Sequence, residues 1–262
     1  MPKKGVRVKM LVYLKAERLK NKRSLVEKML YGVPIIFVLF CLALSGLMFG
    51  GTKTDYFMAI VYNWFPTTFI PIIIALLTNQ LVTREKNSGY ALFFKSHDIS
   101  FRKSWLAKVI NTVANLGMML LINYLLTILL EYFFLHEQVS YWQMFKTSVV
   151  IWLCSLTLIP LSLYLVEKSA PIIVIILNFV MGIVGVVVST TAYWWLCPWS
   201  WSARLTAPLM GIAPNGLFLQ PNDPLWRTDV IFSGLLIALL SFVGLTYLTM
   251  FLYDRRKEQA DD

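Results

Sequence analysis

The chain has 262 residues, of which 58% are hydrophobic and 15% charged, and its mean hydropathy is +0.65. A soluble domain carries about 45–50% apolar and about 25% charged residues, so this composition excludes a water-soluble enzyme built around one buried core. The net charge of +10 does not indicate a nucleic-acid-binding protein, because the chain has no soluble domain that could present a basic face with stacking aromatic residues.

The first 30 residues predict an amphipathic helix that lies on the membrane surface. Within 8–30 the apolar residues recur at three- and four-residue steps and three basic residues share another face, namely Val12, Ala16, Leu19, Val26 and Leu30 against Lys15, Arg18 and Lys22. Such a helix buries its apolar face at the headgroup boundary and meets anionic membrane lipid with its basic face. The alternative is a basic flank that only fixes the topology of the first span.

Six segments without a charged residue are each long enough to hold the roughly 20 apolar residues that cross a bilayer. They are 29–52, 56–83, 109–130, 147–166, 169–203 and 230–253. A further uncharged segment, 205–222, contains three prolines and two glycines, which excludes a lipid-exposed helix there. Pro66 and Pro71 should kink the second span. The predicted fold is an all-α membrane protein with six transmembrane helices over 31–253.

The basic residues predict the orientation of these spans. Of the 24 Lys and Arg residues, 20 lie on the side that holds both termini and the segment 83–108, and four lie on the opposite side. Basic residues favour the cytoplasmic face of a membrane. We therefore expect cytoplasmic termini, a cytoplasmic loop at 83–108, an extracellular loop at 192–228 and a cytoplasmic tail at 254–262.

The sequence contains no motif for catalysis or metal binding. It has no GxxxxGK[ST] segment to hold ATP phosphates, no HExxH and no CxxC. We therefore expect no catalytic residue, no bound metal and no cofactor in this chain. Amides inside the spans, such as Asn79 and Asn178, are expected to hydrogen-bond between helices. The span centres lack charges, which argues against an ion-coupled carrier.

The loop between spans two and three has the most distinctive pattern in the chain. Charged residues follow the second span, then come a glycine and an aromatic patch, and basic residues precede the third span. In chain order the residues are Arg84, Glu85, Lys86, Gly89, Tyr90, Phe93, Phe94, His97, Asp98, Arg102, Lys103 and Lys108. The pattern predicts a short amphipathic helix held off the membrane, whose aromatic face inserts into a groove on a soluble partner with charges at the rim. Glu85 is expected to pair with Arg102 or Lys103.

The predicted extracellular loop is rich in tryptophan. Trp194 and Trp195 are adjacent, and Trp199 and Trp201 follow shortly after them on the other side of Pro198. Tryptophan gathers at membrane interfaces, so the favoured interpretation is that these side chains are interfacial anchors. The alternative, a speculative one, is a surface that binds an amphipathic substrate.

Three segments read together carry a resemblance to a known family: LKAERLKNKRS (14–24), VYNWFPTTFIPIIIAL (61–76) and REKNSGYALFFKSHDISFRKSWLAK (84–108). An acidic residue after span two and a Lys that opens span three resemble the coupling region of ABC-2 type permeases. The Glu-x-x-Lys core at Glu17–Lys20 resembles their surface helix. The three segments together resemble the lantibiotic self-immunity permeases of the MutE/EpiE type over about the first 110 residues.

The resemblance implies a permease subunit of an ABC transporter in the cytoplasmic membrane of a Gram-positive bacterium. Such a transporter returns a lanthipeptide bacteriocin, an antimicrobial peptide, from the membrane to the outside and so protects its producer. The implied partners are an ABC ATPase dimer, which binds ATP and Mg, and a second related permease subunit. By position, Arg84–Lys103 would be the segment that contacts the ATPase.

Two other functions remain open at this point. One is an ABC-2 permease that exports another cargo, such as a drug, a different peptide or a glycan. The other is a membrane enzyme or scaffold without an ATPase partner. The missing catalytic motifs argue against an enzyme, and the patterned loop at 83–108 argues against a scaffold.

Overall fold

A computed structural model describes residues 9–49, 54–88, 93–94, 96–97, 99–135 and 140–259. Within this part of the chain nearly all residues are helical. Ten α-helices have the bounds α1 Met10–Asn21, α2 Leu25–Phe49, α3 Thr54–Trp64, α4 Ile70–Asn87, α5 Phe101–Leu130, α6 Tyr141–Ser155, α7 Leu158–Lys168, α8 Pro171–Ser189, α9 Pro198–Met210 and α10 Asp229–Gln259.

Six helical segments are long and apolar enough to cross a membrane, which confirms the predicted six-span all-α fold. They are Leu25–Leu47, Tyr56–Asn87, Phe101–Phe134, Tyr141–Lys168, Pro171–Val188 and Asp229–Asp254. The second and fourth spans lie innermost, because 67% of the most apolar window of each is buried, against 17–33% in the other four. Most side chains of the other four spans therefore lie on the surface of the isolated chain.

Helix α1 and the first span are separate helices, so the prediction of one helix over 8–30 is wrong. Helix α1 ends at Asn21, and α2 begins at Leu25. Arg23 between them has a φ of 60°. The Ser24 hydroxyl accepts a hydrogen bond from the Val26 N–H at 3.2 Å, and the Glu27 carboxylate accepts one from the Arg23 N–H. Together they cap the N-terminus of α2, and the S-x-x-E spacing of such a cap is visible in the sequence.

The helices on either side of the predicted 83–108 loop extend into it. Helix α4 continues to Asn87, and α5 begins at Phe101 behind a Ser100 cap, whose hydroxyl accepts from the Lys103 N–H at 3.4 Å. Charged residues mark where the apolar run ends, but a helix continues beyond the hydrocarbon as long as its backbone stays hydrogen-bonded. The connecting segment is therefore 88–100.

The second span contains a π-helical turn at its first proline. The turn covers Phe65–Phe69, between α3 and α4, and includes Pro66. Proline leaves a carbonyl of the preceding turn without its usual donor. The carbonyl four residues before Pro66 belongs to Tyr62. At the next position the Thr67 hydroxyl donates to the Asn63 carbonyl at 2.6 Å, so a side chain adds a hydrogen bond within the irregular turn. The structure thus places the irregularity where the sequence predicted a kink.

The predicted extracellular loop contains a buried helix. Helix α9 has 13 residues, too few to cross a bilayer, and it packs between α6 and α8. Two glycines of α8 allow close approach: a Cβ on Gly185 would lie 2.6 Å from the Trp199 carbonyl oxygen, and one on Gly182 would lie 2.5 Å from that of Thr67. Helix α8 is thereby held against both α9 and the second span.

Candidate functional site

A buried set of charged side chains joins helix α1 to the second and third spans. Glu85, on the last turn of α4, is 3% exposed. Its Oε2 lies 2.5 Å from the Lys108 Nζ of α5, and its Oε1 lies 2.7 Å from the Lys20 Nζ of α1. The same Lys20 Nζ lies 2.6 Å from the Glu17 Oε1. We call Glu17, Lys20, Glu85 and Lys108 the Glu85 cluster.

The Glu85 cluster is electrically balanced, because it contains two carboxylates and two ammonium groups. Lys108 is fully buried and its Nζ also lies 5.3 Å from the centre of the Tyr253 ring, within the range of a cation–π interaction. The Lys20 side chain is one-third exposed. A buried charge requires such partners, because its desolvation costs several kcal/mol. Glu85 is therefore the shared counter-ion of both lysines.

The residues on each side of Glu85 extend the same junction. The Arg84 guanidinium donates to the Lys20 backbone carbonyl on α1. The Lys86 Nζ donates to the carbonyls of Val166 at 2.9 Å and Glu167 at 3.2 Å, at the C-terminal end of α7, where a cation also meets the negative end of the helix dipole. The end of the second span is thus tied to α1 and to the third and fourth spans.

The expected partners of Glu85, Arg102 and Lys103, lie elsewhere, so that pairing prediction is wrong. Arg102 Nε lies 2.5 Å from Asp254 Oδ2 of the last span, and the Lys103 Nζ lies 6.0 Å from the Tyr13 ring centre. Around the axis of α5, the Lys108 side chain is separated by about 120° from Arg102 and about 140° from Lys103. Only Lys108 shares the buried face of α5 that meets the end of the second span.

The described members of the predicted aromatic patch do not share one face: one is buried and another is exposed. Phe94 is 8% exposed and packs against Phe101, with ring centres 5.5 Å apart. Phe93 is 53% exposed, and its ring centre lies 4.2 Å from that of His97, which is also exposed. Three other predicted members lie outside the described residues: Gly89, Tyr90 and Asp98. Phe94 therefore holds the loop to the helices, and Phe93 with His97 faces outward.

The four tryptophans proposed for substrate belong mainly to the packing of α9. Trp201 is 2% exposed and its Nε1 donates to the Trp195 carbonyl at 3.1 Å. Trp199 donates to the Asn178 Oδ1 at 3.2 Å, and the half-buried Trp194 packs in a cluster with Trp201. Trp195 is 48% exposed. The structure leaves Trp195 accessible among the four and places Trp201 in the protein interior.

In the sequence, three members of the Glu85 cluster appear only as parts of separate motifs. Glu17 and Lys20 belong to the predicted surface helix, and Lys108 belongs to the basic residues that precede the third span. A signal for Lys108 exists, since it stands between the apolar residues Ala107 and Val109, three positions after Trp105. A lysine on the apolar face of a helix requires a carboxylate from a neighbour.

The family model described as "ABC-2 family transporter protein" matches residues 13–185, more than half of the chain. That range begins within α1 and ends within α8, so it contains every member of the Glu85 cluster. No curated protein and no solved structure matches the chain.

Proposed function

The chain belongs to the ABC-2 family of transporter proteins and is a transmembrane permease, and from this premise we propose that it exports a lanthipeptide bacteriocin. In this proposal the permease takes the peptide from the cytoplasmic membrane of a Gram-positive bacterium and releases it outside, which protects the producer. The resemblance of residues 14–24, 61–76 and 84–108 to lantibiotic self-immunity permeases supports the choice of cargo.

The partner that supplies energy is an ABC ATPase dimer with ATP and Mg, and a second related permease completes the transporter. The Glu85 cluster is the observation that supports coupling to an ATPase. It connects the end of the second span, next to segment 88–100, with α1 and α5. When the ATPase pulls on that segment, the ion pairs make the surface helix and the second and third spans move together. The exposed Phe93 is the anchor that enters the ATPase.

The proposed orientation has both termini and Ser88 in the cytoplasm. It is tested by labelling single cysteines with a membrane-impermeant maleimide, after replacing Cys41, Cys154 and Cys197. Ser88 and Asn222 are suitable positions because both are exposed. We expect labelling at position 222 in intact cells and at position 88 only after lysis. Labelling at position 88 in intact cells would show that the chain has the opposite orientation in the membrane.

The cargo is tested in a sensitive Gram-positive host that expresses the chain with its ATPase and partner permease. We expect a higher minimal inhibitory concentration for a lanthipeptide and no change for a linear cationic peptide or a hydrophobic dye. An ATPase with its Walker A lysine replaced serves as the control for energy-dependent protection. Protection against the dye or the linear peptide, without protection against the lanthipeptide, would assign the permease to another cargo.

A further inference from the structure

A cavity of about 690 Å³ lies between α1, the first turns of α2 and α5, within the usual size of ligand pockets. Its rim carries Lys15, Arg18 and Lys22, and none of the three forms an ion pair with another described residue. Glu27 also lines the cavity, but its carboxylate accepts from the Arg23 N–H at the start of α2. The rim is therefore net positive.

The wall of the cavity contains amides whose hydrogen-bonding groups are unused. Asn21 is 8% exposed, and neither its Oδ1 nor its Nδ2 has a partner in the described part of the chain. The Asn111 Nδ2 on α5 also lacks one, and Asn115 lies one helical turn further along the same face. An unpartnered buried amide is unfavourable in a folded protein. These groups therefore indicate a polar ligand.

The lining becomes apolar further along the spans. Leu30 of α2 and Met118 of α5 complete the cavity, and Met118 lies about 10 Å beyond Asn111 along the helix. The lining thus runs from cations through amides to hydrocarbon. A glycerophospholipid has the same sequence of groups: a phosphate, two ester linkages and acyl chains.

We propose that this cavity binds one anionic glycerophospholipid. Lys15, Arg18 and Lys22 receive the phosphate, since Arg and Lys are the usual phosphate-binding side chains. The amides of Asn111 and Asn115 donate to the ester oxygens, and the acyl chains lie along Met118. The bound lipid holds α1 against α5 beside the Glu85 cluster, and this role does not depend on which cargo the permease exports.

The test measures lipid binding to the purified full-length chain by native mass spectrometry, with phosphatidylglycerol, phosphatidylcholine and inorganic phosphate as probes. We expect one phosphatidylglycerol per chain, and binding of phosphatidylcholine weaker by about tenfold or more. The double variant Arg18→Gln/Lys22→Gln should weaken phosphatidylglycerol binding about 30-fold. The matched control is Lys9→Gln/Lys28→Gln, two exposed lysines outside the cavity lining, and its affinity should stay within about threefold of the parent chain.

A second variant, Asn111→Leu/Asn115→Leu, guards against a folding defect because leucine is well tolerated in a membrane span. We expect it to lose phosphatidylglycerol while its melting temperature in lipid-free detergent is unchanged. Equal losses in the two charge variants would mean that surface charge alone attracts the lipid. Displacement by inorganic phosphate would mean a site for free anions, and phosphatidylglycerol bound to monomers but absent from dimers would mean that a second copy covers the cavity. Each of these three results overturns the proposal.

Discussion

Replacing Glu85 with Ala tests the central ion pairs of the structure. The change leaves Lys108, which is fully buried, without its carboxylate at 2.5 Å. At an effective dielectric constant of about 20, each Glu85–Lys pair has a Coulomb energy of about 6–7 kcal/mol before desolvation is subtracted. Removing one partner of a buried pair costs about 3–5 kcal/mol net, and we expect the free energy of unfolding to fall by that amount.

Two further variants separate the charge effect from loss of packing. Lys20→Ala should cost only about 1 kcal/mol, because the Lys20 side chain is 33% exposed and its charge is screened by solvent. The double variant Glu85→Met/Lys108→Met should recover most of the stability, because a buried pair can be replaced by apolar residues of similar volume.

The assay is a denaturant titration of the purified chain in detergent, followed by a double-mutant cycle on Glu85 and Lys108. The same variants are scored for ATPase-dependent protection of a sensitive host. We expect Glu85→Ala to reduce protection while the chain still reaches the membrane. If Glu85→Ala unfolds at the same denaturant concentration as the parent chain, and the cycle gives no coupling energy, the assignment of Glu85 as shared counter-ion is refuted.

Two more predictions use side chains that differ in exposure or in the space around them. Phe93→Ala should change the free energy of unfolding by less than about 0.5 kcal/mol but reduce co-purification of the ATPase. Replacing the buried neighbour, Phe94→Ala, should lower the free energy of unfolding by about 3–5 kcal/mol. If Phe93→Ala retains the ATPase as well as the parent chain does, Phe93 is not the anchor. Gly182→Ala should lower stability in a detergent melt by about 1–3 kcal/mol, because its Cβ would lie 2.5 Å from the Thr67 carbonyl oxygen. The control Gly46→Ala, with no atom within 4 Å of the added Cβ, should be neutral or stabilising, and a stability loss as large as that of Gly182→Ala would contradict the close-approach argument.

The number and order of the spans could be predicted because an uncharged apolar run of about 20 residues has few alternatives to a membrane helix. The partners of Glu85 could not be predicted, because they depend on which face of α5 each basic side chain occupies. Once α5 is known to begin at Phe101, the rotation along the helix places Lys108, and not Arg102, on the buried face. Before that start is known, any of the nearby lysines and arginines is an equally good partner.

The buried helix α9 was missed for a different reason. Its Pro198 stands in the first helical turn and Pro208 near the end, so prolines that exclude a lipid-exposed span still permit a short helix enclosed by protein. The aromatic residues around it suggested an interface, yet Trp199 and Trp201 use their indole N–H groups inside the fold. Composition alone does not distinguish an interfacial tryptophan from one that packs a short internal helix.

The pairing of Glu85 with Lys108 also bears on how the chain enters the bilayer during synthesis. A lysine within a span raises the free energy of insertion of that span, and Lys108 lies inside the third segment that is apolar enough to cross. Its carboxylate is on the preceding span, which is synthesised first. The second and third spans are therefore expected to leave the translocon as a hairpin, with the charge already neutralised, rather than one after the other.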